Sequence, residues 1–134
     1  VSTLAGSTAG SNNGIGTNSQ FNLPYGISIS PDNIYALIAD YMSQIRKIVI
    51  STSEVSVIAG VSDMGYTNGI GTNSKFNRLR GIDISNDATF ALVADSNSNQ
   101  IRKIILPISP TSSPTFIPTS FPSSSPSFIP SISP

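Results

Sequence analysis

Asn13–Asn22 reads NGIGTNSQFN, and Asn68–Asn77 reads NGIGTNSKFN. The two stretches agree at nine of ten positions and lie 55 residues apart. A match of this quality marks an internal repeat, which decides the architecture before any other reading. It extends outward in both directions. Gly26-Ile27-Ser28-Ile29-Ser30 corresponds to Gly81-Ile82-Asp83-Ile84-Ser85, and Ala36–Asp40 (ALIAD) to Ala91–Asp95 (ALVAD). Gln44–Ile48 (QIRKI) corresponds to Gln100–Ile104 (QIRKI), and Val1–Gly6 (VSTLAG) to Val55–Gly60 (VSVIAG). The offset drifts by a residue either way, so small insertions are expected in loops.

Each repeat holds four short segments of β type separated by turn residues. In the first, Gly26–Ser30 alternates, with Ile27 and Ile29 on one face. Pro31-Asp32-Asn33 signals a turn. Ile34–Ala39 is an apolar run suited to a strand buried on both sides. Gln44–Ile50 puts Ile45 and Arg46 on opposite faces, and Val55–Ala59 is the fourth strand. In the second repeat the strands are expected at Gly81–Ser85, Thr89–Ala94 and Gln100–Leu106. No segment has helical period. The expected fold class is all-β: two four-stranded antiparallel blades of an incomplete propeller, followed by an extended polyproline-II-like tail.

The repeats resemble the NHL-repeat family over residues 1–106. The resemblance is carried by Phe21, Asn22, Gly26 and Ile27, repeated as Phe76, Asn77, Gly81 and Ile82. Ala39-Asp40 and Ala94-Asp95 at the end of the second strand carry it too, with the Ile-Arg-Lys-Ile third strand. It implies a β-propeller used mostly as a binding platform for proteins, RNA or glycans. Some members are lyases that depend on metal-bound His, and this sequence has none, so that activity is not transferred. Each repeated residue also has a role that needs no ligand. Gly26 and Gly81 are expected to allow close backbone approach, and Phe21 and Phe76 to fill gaps between blades. Asp40 and Asp95 are expected to accept hydrogen bonds from backbone amides.

Composition narrows the function. The 134 residues carry 7 basic and 7 acidic side chains, with no His, Cys or Trp. Thiol nucleophiles, disulfides, His bases and the common zinc ligands are therefore excluded. A neutral chain generates no long-range field to gather nucleic acid. No apolar run approaches the length of a membrane-spanning helix. Enzymatic activity, cofactors and catalytic or metal-binding residues are not expected. No leader sequence follows Val1, so a signal peptide is expected to have been removed or to lie outside this sequence.

All ten Gly and every charged residue precede position 104, whereas eight of the ten Pro lie from Pro107 onward. Two domains are expected: the blades at 1–106, with an orphan strand at 1–6, and a Pro/Ser/Thr tail at 107–134. Propellers close with about four to eight blades, so two cannot close alone. Val1–Ala5 is a fourth strand without a blade. The second blade meets Leu106-Pro107-Ile108-Ser109-Pro110 where its fourth strand is due, and Pro cannot donate to a ladder. The expected remedy is head-to-tail pairing with another copy, Val1–Ala5 of one chain beside Gln100–Leu106 of the next, in a ring or filament. The alternative is that the sequence is a slice of a longer propeller. Candidate assembly residues are Val1, Thr3, Leu4, Ile101, Ile104, Phe116, Ile117, Phe128 and Ile129.

The tail has a strict register. Pro110, Pro114, Pro118, Pro122, Pro126 and Pro130 are each followed by a hydroxyl residue: Thr111, Thr115, Thr119, Ser123, Ser127 and Ser131. A twelve-residue superperiod repeats Phe116-Ile117 as Phe128-Ile129. Such density favours polyproline II, with about 3.1 Å rise per residue. It resembles hydroxyproline-rich and mucin-like surface glycoproteins, so these twelve Pro, Thr and Ser residues are candidates for O-linked glycans, carried on hydroxylated Pro or on Ser/Thr. There is no Asn-x-Ser/Thr sequon. The tail is expected to form an ordered stalk or inter-subunit strap.

Three sharper chemistries are weak. Gly14–Ser19 suggests a phosphate loop but lacks a third Gly and a following helix. Asp63, Asp83 and Asp87 lack the spacing of a calcium loop. Lys75, Arg78 and Arg80 could meet a glycan or carboxylate, or form a solvated face. The expected function is a structural subunit of an extracellular or cell-surface glycoprotein assembly. Its partners would be its own copies and covalent glycans, with no nucleic acid and no membrane span. The alternative is a glycan- or protein-binding module on a stalk.

Overall fold

In the computed structural model the structure describes residues 1–106. The expectations for the tail, its glycan candidates and Phe116, Ile117, Phe128 and Ile129 lie outside the described residues. Eight strands follow in order: β1 (Gly14–Ile15), β2 (Pro24–Ile29), β3 (Tyr35–Asp40), β4 (Gln44–Val49), β5 (Glu54–Ala59), β6 (Leu79–Ile84), β7 (Phe90–Asp95) and β8 (Gln100–Ile105). They form two antiparallel sheets, ordered β1-β5-β4-β3-β2 and β6-β7-β8. The protein is all-β, with the architecture of a partial β-propeller.

Each expected strand of Gly26–Ala59 and Gly81–Leu106 is present within two residues at either end. The tight link between the first and second strands of each blade comes from side chains. Ser30 Oγ donates to Asp32 Oδ1 at 2.6 Å, Asp32 Oδ1 accepts from the Ile34 amide at 3.0 Å, and Ser30 Oγ accepts from the Tyr35 amide at 3.1 Å. Ser85 and Asp87 repeat the pattern before Phe90. A short polar side chain that satisfies local amides is what makes Asx turns form.

Two features depart from the expectation. The first blade gains a fifth strand, β1, whose Gly14 and Ile15 pair with Val55 and Glu54 of β5. Val1–Ala5, expected as a fourth strand to be paired by another copy, forms no ladder among the described residues: Val1–Leu4 are exposed and Ala5 packs against the smaller core cluster.

The blades stack face to face. Leu37, Ala39 and Ile45 of the first meet Phe76, Ile82, Ile84 and Val93 of the second in one core. The far side of the first blade carries a smaller cluster of Ala36, Ile38, Ile48 and Val55, with Phe21 and Ala5 against it.

Candidate functional site

The repeated motif forms a clasp, built on the same pattern in both blades. Arg46 points from β4 beneath the Phe21 ring, 5.1 Å from its centroid. Its Nη1 donates to the Gln20 carbonyl at 2.8 Å, and its Nη2 to the Asn12 carbonyl at 3.0 Å and Asn13 Oδ1 at 3.1 Å. Arg102 does the same with Phe76, Lys75, Thr67 and Asn68. Asp40 and Asp95 complete the clasp by accepting from the Asn22 and Asn77 amides at 3.0 and 2.8 Å. Ser19 and Ser74 donate to the carbonyls of Gly16 and Gly71 at 2.7 and 2.6 Å. The Gly16 and Ser19 amides, which a phosphate loop would offer to an anion, donate instead to the Ser53 and Gly16 carbonyls at 2.9 and 3.1 Å. The motif closes a loop onto its sheet.

This arrangement makes Asp40 unusual. It is buried, and burial raises its pKa above 3.8 despite the opposing Asn22 hydrogen bond and the Arg46 charge. Burial likewise lowers the Arg46 pKa, against the attraction of Asp40. Sequence reasoning placed Arg46 on a strand face but did not foresee its burial.

The two blades differ at one edge. In the first, β4 pairs with β3 on one side and β5 on the other, and β5 in turn pairs with β1. In the second, β8 pairs with β7, and its other edge has no partner among the described residues. Where β5 would lie there is a cleft of about 280 Å³, bounded by Arg102–Ile105 and by Asn68–Gly71. Ile70, the counterpart of β1 residue Ile15, is 89% exposed beside it.

The candidate assembly residues fall into distinct places. Val1, Thr3 and Leu4 are exposed, and Thr3 and Leu4 line a second, apolar cleft of about 330 Å³ with Phe21, Ile27 and Ile38. Ile101 is exposed on the outer face of the second blade. Ile104 is not: it is half-buried against the core between the blades, because it shares a face with Arg102 rather than with Ile101.

The basic cluster divides. Lys75 pairs with Asp63 at 2.6 Å. Arg78 and Arg80 lie over Tyr41 and Tyr25, at 5.5 and 4.9 Å from the ring centroids, and the two rings are 5.3 Å apart. The sequence showed the arginines but gave no sign of the tyrosines facing them across the blade junction. Asp63, Asp83 and Asp87 do not converge: among the described residues no three His, Cys, Asp or Glu side chains could hold a metal ion. No helix of the described residues is long and apolar enough to cross a membrane.

No protein-family model matches the chain, and no curated protein matches it. Solved structures do. One, a structural-genomics protein of unknown function from Bacteroides thetaiotaomicron, is 23% identical with a TM-score of 0.68, over 78% of this chain and 27% of its own. An auxiliary nutrient binding protein from the same organism is 20% identical with a TM-score of 0.63, over 70% of this chain and 25% of its own. A third from that organism, named only as a candidate phosphatase, is 19% identical with a TM-score of 0.66, over 80% of this chain and 26% of its own. The chain spans about a quarter of the length of these structures, and the likeness is one of fold.

Proposed function

We propose that the chain is a non-enzymatic structural subunit of an extracellular glycoprotein assembly, with NHL-type blades joined head to tail by strand complementation. The observation that carries this reading is the cleft beside β8, which no described residue fills. In the first blade the same cleft is filled by Val55–Ala59, of sequence VSVIA, and the chain carries a near copy, VSTLA, at Val1–Ala5 with no ladder partner among the described residues. The geometry of entry agrees. The Gly6 amide donates to Gly16 O at 3.1 Å, as the Gly60 amide donates to Gly71 O at 3.2 Å. Both glycines have left-handed backbone, φ 98° and 81°. Val1–Ala5 therefore leaves the first blade as β5 leaves the second.

Transferring the β4–β5 register gives the pairing between copies: Val1 opposite Ile104, Thr3 opposite Arg102 and Ala5 opposite Ile101. Adding a strand to an exposed edge satisfies its unpaired amides and carbonyls, and the side chains set the register. The contact is heterologous, so it repeats. O-glycans on the Pro-Ser/Thr tail would surround the assembly and place it outside the cell.

Light scattering and negative-stain microscopy of the purified 134-residue chain test the reading. Rings or filaments are expected, dissolved by deleting residues 1–5. Intact-mass measurement of native material is expected to exceed the sequence mass in steps of a sugar. Monomers at all concentrations would overturn the assembly. A second reading, a binding module for acidic glycans, is supported by Arg78 and Arg80 over Tyr25 and Tyr41. Stacking aromatics beside guanidinium groups suit a sugar ring bearing a carboxylate.

A further inference from the structure

The structure assigns a second contact between copies: the open face of the first blade docks on the outer face of the second blade of a neighbouring chain, repeating the blade-to-blade contact inside the chain. The inference rests on the head-to-tail reading but is argued from side chains on the faces of the blades, whereas that reading is argued from the backbone at their edges.

The internal contact has two sides. The second blade contributes Phe76, Ile82, Ile84 and Val93, and the first contributes Leu37 and Ile45. The repeat supplies both sides again, with no facing blade among the described residues. The first blade's counterparts of Phe76, Ile82, Ile84 and Val93 are Phe21, Ile27, Ile29 and Ile38. Ile27 is 65% exposed where Ile82 is 9%. The second blade's counterparts of Leu37 and Ile45 are Leu92 and Ile101, the latter 71% exposed where Ile45 is 0%. The apolar cleft lined by Phe21, Tyr25, Ile27, Ile38 and Ile48 lies where the internal contact seats Leu37 and Ile45. Leu92 and Ile101 of a neighbour have the same shapes to offer it. Exposed apolar area of this extent is uncommon unless something covers it.

The glycines give an independent sign of what approaches. A Cβ on Gly26 would collide with the Arg80 carbonyl oxygen and lie 3.0 Å from Gly81 Cα, because β2 abuts β6 there. A Cβ on the equivalent Gly81 would meet nothing within 4 Å. Among the described residues of one chain Gly81 has no neighbour that requires a glycine. If β6 abuts the β2 of the next copy as β2 abuts β6, the approach to the Tyr25 carbonyl requires one. The internal contact also has a polar member, Ser28 Oγ, which accepts from the Ile84 amide at 3.2 Å and donates to Asp83 Oδ1 at 3.3 Å. Asp83 occupies the position of Ser28 in the second repeat, so its carboxylate would face the next chain's Ser28. The occupant is therefore a second copy, because the chain already contains the mating surface and a worked example of the fit.

The test uses the 134-residue chain with Gly81→Val and, separately, Leu92→Glu. An added Cβ at Gly81 meets no described atom within 4 Å and Leu92 is 44% exposed, so both variants are expected to stay folded as single chains, checked by far-UV circular dichroism of the dilute protein. Association measured by sedimentation velocity is expected to weaken tenfold or more in each. If both variants assemble like the parent while deletion of residues 1–5 abolishes assembly, strand exchange stands and the face contact is overturned. If the parent itself never assembles, the head-to-tail reading has failed and this contact fails with it. Ile27→Glu, on the opposite face, must reproduce the loss, and an equimolar mixture of the Ile27→Glu and Leu92→Glu chains must form dimers that neither forms alone, because each supplies the face the other lacks. Normal assembly of Ile27→Glu would overturn the pairing.

Discussion

Arg46 Nη1 lies 3.4 Å from Asp40 Oδ2 inside the first blade, while the equivalent Arg102 and Asp95 approach to 2.8 Å. Arg46 is fully buried, and its Nε has no hydrogen-bond partner among the described residues. A buried charge pair is of little net benefit against an apolar pair, but removing one member strands the other. Asp40→Ala is therefore expected to cost about 3–5 kcal/mol in urea unfolding. A cost under about 1 kcal/mol, the range of a surface ion pair, would mean that the three neutral oxygen acceptors around Arg46, from Gln20, Asn12 and Asn13, satisfy it without the carboxylate.

The acidic groups are expected to titrate in opposite directions. Asp40 has its pKa raised above 3.8 by burial, so the folded state holds its proton more tightly than the unfolded chain. Its contribution to stability is complete below pH 3.8 and is lost as the pH rises through its folded-state midpoint. Asp32 and Asp87 have theirs lowered, chiefly by the hydroxyls of Ser30 and Thr89 respectively. Their contribution is present above pH 3.8 and is lost as the pH falls through their lower midpoints. Carboxyl chemical shifts followed by NMR across the acid range check all three. An Asp40 midpoint below those of Asp32 and Asp87 would contradict the buried clasp.

The two motif serines are expected to differ. Ser19 Oγ donates to Gly16 O alone, so Ser19→Ala is expected to cost about 1 kcal/mol, the usual net value of such a bond. Ser74 Oγ donates to Gly71 O and also accepts from the Gly60 amide at 3.2 Å. Ser74→Ala is expected to cost about twice as much, since it removes two buried bonds. Equal midpoints in chemical denaturation would show that the Gly60 amide is satisfied by Gly71 O without help.

The strands were legible because Ile alternates with polar residues at period two and the turns between them carry Pro, Asp and Asn. The blade count followed from the repeat. The clasp was not legible. Hydropathy treats Arg46 as a surface residue, and nothing in Gln-Ile-Arg-Lys-Ile says that Asn13, Gln20 and Phe21 will meet it. β1 was missed because two residues, Gly14 and Ile15, are too few to show a period. The orientation of Ile104 was readable in principle, since strand residues two apart share a face and Arg102 marks the clasp side. The Tyr25–Arg80 contact needed the angle between blades, which no local pattern encodes.

Left-handed backbone separates a site that wants glycine from one that lacks it. Gly60 has φ 81°, and a Cβ there would collide with the Ser43 carbonyl and press on Phe76. Gly60→Ala therefore combines a left-handed cost of about 1–2 kcal/mol with a steric clash that only backbone movement can relieve. Gly16 has φ 58°, and the nearest atom to an added Cβ is 3.9 Å away. Gly16→Ala is expected to cost only the conformational part, about 1–2 kcal/mol. The reverse change applies at Ala88, which holds φ 59° in the turn where the first repeat has Asn33 at 64°. Ala88→Gly relieves that strain and gives back about 0.5–1 kcal/mol to the entropy of the unfolded chain. A net gain of about 0.5 kcal/mol is expected, since the strain term is the larger. Thermal unfolding of the three variants should rank Ala88→Gly above the parent, Gly16→Ala below it and Gly60→Ala lowest. A stable Gly60→Ala protein would mean that the crossover into the second blade can shift, and with it the entry geometry that Val1–Gly6 shares.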